Sequence, residues 1–428
     1  MKKEFSKKGV ASFYIVAIAT LILVVVAASF ATLIINETMR TSNDDLSQSA
    51  YDAAMAGVED AKLAAANYRR CKMNGEVASQ PSNSGAVTCP EIMYWVQNSM
   101  VNPDCYMVGK ILGRVAKNAD AENTKDGVFI SETNDNGNRL NQAYTCTYFS
   151  TSLDDYRADL SSGDPQKVIK AELDTAAKDI HYIKVSWYSN PEGAKLSYAN
   201  YDYENDKVVF PPANNNGASV PPTISVQLIQ TADTFNMDQF KQSDGGMTNR
   251  GTVYLVPTDR TPNNPNVLDH ETYMYNNKNF VRANALADSN NKRWINKPYL
   301  IKCGENSTSE FVCSATIELP NPMYGDRSDK TFMVVVGLPY ERPETDISVK
   351  FCKTDCTNTN DSIGSSVYAK INDVQIEIDS TGRANDLFRR VVTRLDTSDS
   401  GSAAYLFDAI QLLGDGTSLI KNMTVTHQ

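Results

Sequence analysis

Histidine is nearly missing from this chain: His181, His270 and His427 are the three in 428 residues, widely scattered, and they supply no zinc site. Also missing are a G-x-x-x-x-G-K-[ST] phosphate loop, an H-E-x-x-H pair and a G-x-S-x-G turn. The usual local signatures of nucleotide, zinc-protease and serine-hydrolase chemistry are therefore absent, and we expect no enzyme, cofactor or metal centre. Positive charge is scarce as well, with 41 Lys and Arg against 51 Asp and Glu, a net charge of -10. The first nine residues carry +3 and residues 10–35 carry nothing, which leaves -13 for the remainder. Phosphate binding needs a basic surface, so this balance argues against a general nucleic-acid binder.

Long apolar runs are lacking everywhere but one place. Val10 to Ile35 is twenty-six residues without a charge. As a helix it spans roughly 39 Å, more than the ~30 Å hydrocarbon core of a bilayer. Lys2, Lys3, Lys7 and Lys8 precede it, with Glu4 as the one acid, and Glu37, Asp44 and Asp45 follow. The positive-inside tendency places the N-terminus in the cytoplasm and the rest outside, a single pass through a membrane. A secretory signal has an apolar region of only about 7–15 residues. Ser29-Phe30-Ala31 imitates a cleavage site, but a cut there would leave an apolar Thr32–Ile35 end.

Helical patterning continues past Ile35. Leu46, Ala50, Ala53, Gly57, Ala61, Ala64 and Tyr68 recur in steps of three and four, with Asp52, Glu59, Lys62 and Arg69 elsewhere on the wheel. Ser42 and Asp45 resemble an acidic capping box, so the helix is either continuous or restarts near Thr41–Asp45. The expected fold is α+β: a long N-terminal helix, first membrane-spanning and then amphipathic, followed by a large β-rich exported head. The expected divisions are a leader over 1–9, the helix over 10–70 and the head over 71–428.

Within the head, residues 72–178 read as irregular, with helices at Pro90–Val101 and Gln166–Ala177. Strand-like runs follow at 180–188, 207–210, 224–229, 252–256, 299–302, 311–319, 331–338, 347–351 and 367–378. The pairs Pro211-Pro212 and Pro221-Pro222 bracket a soft segment that is either a domain linker, subdividing the head near 211–222, or a long surface loop. Ala384, Leu387, Phe388, Val391, Val392 and Leu395 line one face of a helix over 384–395, whose Arg389, Arg390 and Arg394 suit its dipole.

Eight cysteines lie beyond the apolar stretch, in a compartment where disulfides persist. Local spacing pairs Cys303 with Cys313 and Cys352 with Cys356, and favours Cys71 with Cys89 and Cys105 with Cys146. The smallest of these loops contributes about 2 kcal/mol by the chain-entropy model. Two loops alternate oxygen-bearing residues, one with Glu132, Asn134 and Asn136 before Gly137, the other with Asp202, Glu204 and Asp206. The first has Ala143 at the twelfth position where a calcium loop has Glu, and both read as polar turns. Trp187, Tyr188, Tyr198, Tyr201 and Tyr203 form either a sugar platform or, the favoured reading, a cap on a sheet.

Lys7-Lys8-Gly9 set directly against the apolar run, with an amphipathic continuation ending in AYDAAMAGVEDAKLA, resembles a type IV pilin-like subunit. Ala50 to Ala61 is similar to the Ala-Tyr-x-Ala-Ala-x-Ala-Gly-x-Glu pattern of the PilX N-terminal and general-secretion K-type minor pilins. The segments LPYERPETDISVKF and IDSTGRANDLFRRV also resemble the C-terminal region of large pilin-like proteins from reduced-genome candidate-phylum bacteria. The resemblance implies cleavage after Gly9 by a membrane prepilin peptidase, leaving Val10 first, and packing of the helix among other pilin subunits through Tyr14, Ala50, Ala53 and Gly57. It implies a head that faces outward on the cell surface or pilus, toward assembly partners or a host-cell or glycan receptor. Tyr14 stands where pilins carry Glu and Val10 where they carry Phe or Met; the K-type subunits, which sit at the fibre tip, also lack that Glu. The alternative is a single-pass membrane-anchored adhesin or binding module that never enters a filament.

Overall fold

The computed structural model describes residues 8–82, 85–119, 128–131, 142–161, 163–173, 180–189, 195–198, 200–202, 207–209, 219–231, 250–258, 272–275, 278–281, 298–304, 310–323, 331–339, 344–352, 356 and 368–397. Its helices are α1 (Lys8–Met73), α2 (Cys89–Ser99) and α3 (Met107–Ile111). The strands begin with β1 (Val128–Ser131), β2 (Gln142–Leu153), β3 (Tyr156–Leu160), β4 (Gln166–Leu173), β5 (Ile180–Trp187), β6 (Asn200–Asp202), β7 (Lys207–Val209), β8 (Ile224–Thr231) and β9 (Arg250–Thr258). They continue with β10 (Thr272–Tyr275), β11 (Lys278–Val281), β12 (Pro298–Lys302), β13 (Cys313–Met323), β14 (Thr331–Gly337), β15 (Thr345–Cys352), β16 (Tyr368–Ala369), β17 (Ile371–Ala384) and β18 (Leu387–Asp396). One long apolar helix and a large β region make the chain α+β. It divides into two compact units, Met1–Phe149 with Ile378–Thr393, and Ser150–Glu377 with Arg394–Gln428. The division falls there and not at the Pro-Pro pairs.

The first unit is organised on α1, a single helix of 66 residues. Ser42 and Asp45 lie inside it, so no restart occurs. Its polar side chains are satisfied by the helix itself: Thr20, Ser29, Thr32, Thr38 and Thr41 donate to carbonyls one turn back, at 2.8–2.9 Å. It ends in a Schellman turn. Gly75 takes a φ of 71°, and the N–H groups of Gly75 and Glu76 reach the carbonyls of Lys72 and Cys71. Ala50, Ala53, Ala54, Gly57, Val58, Ala61, Ala64, Ala65 and Tyr68 form its buried face.

Small residues are required on that face because a strand backbone lies against it. A Cβ at Gly382 would stand 2.1 Å from the Ala50 carbonyl oxygen and 2.2 Å from the Ala54 nitrogen. A Cβ at Gly57 would stand 2.3 Å from Ser380 Oγ and 2.6 Å from Thr147 Oγ1, two hydroxyls that share a 2.8 Å hydrogen bond.

The second unit is a sandwich. One layer runs β17-β4-β14-β8-β9-β12 and the other β10-β11-β13-β5-β15-β16, with β3 also on β15. Pairing is antiparallel except β9 with β12 and β11 with β13. Inward residues of both layers, among them Ile169, Ile183, Val185, Trp187, Val226, Leu255, Val334 and Phe351, share one core. Burial alternates along β5 from Ile183 to Trp187, as a strand with one solvated face demands. The Cys303–Cys313 bond ties the end of β12 to the start of β13, one layer to the other.

Two expected helices are strands. Gln166 to Ala171 pairs along β14 from Gly337 to Phe332, where Val168 and Ile169 meet valines, and Glu172 and Leu173 pair with β17, so cross-strand pairing overrides the helix preference of Lys, Ala, Glu and Leu; residues 174–177 lie outside the described residues. Residues 384–395 are a turn and a strand. Asn385, at a φ of 52°, and Asp386 join β17 to β18, and the apolar spacing that fitted a helix serves alternate faces of a strand. The stretch read as irregular also holds β2 and β3.

Gly382→Ala should cost about 1–3 kcal/mol, because backbone atoms of α1 cannot move aside as a side chain can. A lower urea midpoint for the detergent-solubilised chain is the expected result, and an unchanged one would remove the close approach of β17 to α1.

Candidate functional site

The described residues from Tyr14 to Asp45 are all exposed. Ile15, Leu21, Leu23, Val24, Phe30 and Ile34 point to every side of α1, so the stretch from 14 to 35 has no polar face to give to water. Such a cylinder is stable only within lipid or among other apolar helices. Gly9 and Val10 fall in the first turn of α1. Tyr14 is 61% exposed, whereas Ala50, Ala53 and Gly57 are sealed against the chain's own β17 and β2. This corrects the expectation for the last three: their faces are already occupied, and of the four residues assigned to filament packing only Tyr14 is open.

Polar contacts fix the seated half in register. Asp60 receives Arg114 Nη2 at 2.6 Å and the Tyr144 hydroxyl at 2.8 Å. Burial, and then the Asp60 carboxylate, push the Tyr144 hydroxyl pKa well up, so it stays a donor. Gln142 Nε2 donates to the Ser49 carbonyl at 2.7 Å, and Arg389 Nε to Ser47 Oγ at 2.8 Å. Sequence reasoning missed Asp60, Arg114, Tyr144, Thr147, Ser380 and Gly382, since no local pattern links positions so distant in the chain.

Beyond α1, Cys71–Cys89 leads into α2, which starts where Pro90 suggested and carries a capping box between Thr88 and Glu91. Glu91 is buried, and both its oxygens lie 2.8 Å from Lys117 Nζ. Burial alone would raise its pKa. The Lys117 ammonium and the Thr88 and Ser82 donors outweigh that and hold it at about 2. The other bonds are Cys105–Cys146, Cys303–Cys313 and Cys352–Cys356.

In the second unit Trp187, Tyr188 and Tyr198 of the aromatic cluster do not form an exposed platform, and the side chains of Tyr201 and Tyr203 lie outside what is described. Trp187 is fully buried with Nε1 donating to the Pro222 carbonyl at 2.9 Å, and Tyr188 is buried too. Tyr198 is half-buried beside Cys303, and Tyr203 lies outside the described residues, as do the Glu132–Gly137 loop, Glu204 and Asp206. Among the described residues no group of His, Cys, Asp or Glu is placed to hold a metal ion. A polar hollow of about 350 Å³ is lined by Arg157, Lys167, Gln375, Arg394 and Asp396. Its charges answer one another: Arg157 and Arg394 both reach Asp155, Arg394 also Glu377, and Lys167 Asp164. Burial would raise the Asp155 pKa, and the two guanidinium groups hold it below the ordinary carboxylate range. No family model matches the chain, and no curated protein or solved structure matches it significantly.

Glu91 contributes stability above its unfolded pKa near 4.5 that fades as pH falls toward 2. The stability gap between wild type and Glu91→Gln should therefore shrink across that window in urea titrations. Lys117→Met should cost about 3–5 kcal/mol at neutral pH by stranding the carboxylate. A gap independent of pH would show that the pair does not hold this corner of the unit.

Proposed function

We propose that the chain is a minor subunit of a type IV pilus-like filament. It enters the membrane with its N-terminus inside, is cut after Gly9 by a prepilin peptidase, and joins other pilin subunits through the exposed half of α1. The observation that carries this reading is the continuity of α1. A plain anchor needs only about 20 apolar residues. Here the helix runs on past Ile35 through an exposed polar stretch with Glu37, Arg40, Asp44 and Asp45 and then into a half locked on its own sheet, with no break. A stiff, continuous coupling of this kind suits a subunit that must hold its position among neighbours. The disulfides and the acidic surface suit an exported head that meets partners outside the cell.

A second reading rests on Tyr14. A phenol cannot take the charge of a neighbouring terminal amine as the fifth-position carboxylate of pilins is thought to do, and an unpaired charge in an apolar core costs several kcal/mol. Either the subunit sits at the fibre tip, where one axial neighbour is missing, or it is an uncut single-pass adhesin.

Mass spectrometry of the N-terminus separates these. Val10 should be first. An intact Met1 or Lys2 end would leave the anchored adhesin, and a start at Thr32 would leave a cleaved signal. For a processed chain, gold label on the head should appear sparsely at fibre ends, and regular decoration along whole fibres would overturn the tip position.

A further inference from the structure

The open edge of the first unit's sheet lacks the guards that proteins place on such edges. Among the described residues β18 pairs with β17 alone, so the far side of its Leu387–Thr393 stretch turns unpaired N–H and C=O groups to solvent. These residues span about 23 Å. An exposed edge is ordinarily blunted by Pro, by Lys reaching into solvent, by a bulge or by a covering element, and β18 contains neither Pro nor Lys. It does carry Arg389 and Arg390, but both guanidinium groups are drawn back onto the chain. Arg389 Nε donates to Ser47 Oγ of α1 at 2.8 Å, and Arg390 Nε donates to Asp379 Oδ1 at 2.8 Å.

What the edge leaves exposed is apolar. Phe388 is 54% exposed and Val392 51%. Both alternate with Arg390 along one face of the strand. That face is turned away from α1, because Arg390 reaches Asp379, whereas the next residue along β17, Ser380, lies against Gly57 of the helix.

We propose that this edge pairs with β18 of a second copy of the chain. Antiparallel pairing centred on Arg390 is self-complementary, as a twofold contact must be. It sets Phe388 of each copy opposite Val392 of the other, an aromatic with a β-branched side chain, a combination that stabilises neighbouring strands. The two Arg390 residues meet at the centre, each already answered by its own Asp379. An acidic partner strand has less to gain, since Arg390 and Arg394 already hold carboxylates. Such a pair has its twofold axis normal to the sheet. α1 lies along the sheet face, with Ala50 over Gly382, Gly57 over Ser380 and Tyr68 beside Phe149. The two helices therefore run in opposite directions, and their apolar halves leave the pair on opposite sides. The contact thus joins copies from different membranes or fibres and is separate from any parallel packing of helices within one filament. It goes beyond the proposed function and does not depend on cleavage after Gly9.

The test keeps the apolar halves apart: the full chain is inserted singly into lipid nanodiscs, and association of the discs is followed by analytical ultracentrifugation. Loaded discs should pair at protein concentrations up to about 100 µM, and empty discs should not. Phe388→Lys with Val392→Lys should weaken pairing about tenfold or more, at an unchanged Tm because both side chains are exposed. Phe388→Leu with Val392→Ile should keep it. Added salt should strengthen pairing, because two copies of net charge -10 repel one another. In the wild-type chain, amide hydrogen exchange over Leu387–Thr393 should slow as concentration rises. Single discs throughout the range, wild-type pairing in the lysine variant, pairing that salt weakens, exchange at β18 that ignores concentration, or pairing that needs another protein would each overturn the assignment.

Discussion

The first unit depends on one close approach, the backbone of β17 at Gly382 lying directly on the backbone of α1 at Ala50 and Ala54. A helix and a strand in such contact leave no room for side chains between them. This explains why seven residues of that buried face are Ala or Gly, why Thr147 and Ser380 settle their hydroxyls on each other, and why the polar pins at Ser47, Ser49 and Asp60 lie along the edges. Each pin alone is worth one hydrogen bond, about 1 kcal/mol net. Together with the apolar seal they fix a single register for a helix whose other half, from Tyr14 to Asp45, is exposed.

Much of this was legible in the sequence, and the reason is local. The apolar run, the Ala and Gly stripe, the start of α2 at Pro90 and most strands from β5 onward each announce themselves within a short window. What failed was non-local or ambiguous. Gln166–Leu173 has helix-forming residues, and only its partners in β14 make it a strand. Residues 384–395 satisfied a helical wheel, while the signal that mattered was the Asn385-Asp386 turn. The role of the small-residue stripe was misjudged for a related reason: a smooth face advertises close packing without naming the partner, and the partner is Gly382, more than three hundred residues away.

In the second unit, two layers meet over an apolar core, and the ion pairs of the hollow lie at its rim. The hollow beside β3 is a closed web in which Asp155 serves two arginines.

Two covalent bonds in the first unit have a mechanical meaning. Cys71–Cys89 closes a separation of 18 residues at the end of α1, and Cys105–Cys146 closes one of 41 that ends in β2, the strand whose Thr147 touches Gly57. A pull transmitted along α1 therefore cannot reel out the loops that these bonds bridge. Tension passes across the sulfurs and through α2 to the sheet seated on the same helix. Within the first unit, the end of α1 and the strand that touches Gly57 are thereby held by covalent bonds as well as by packing.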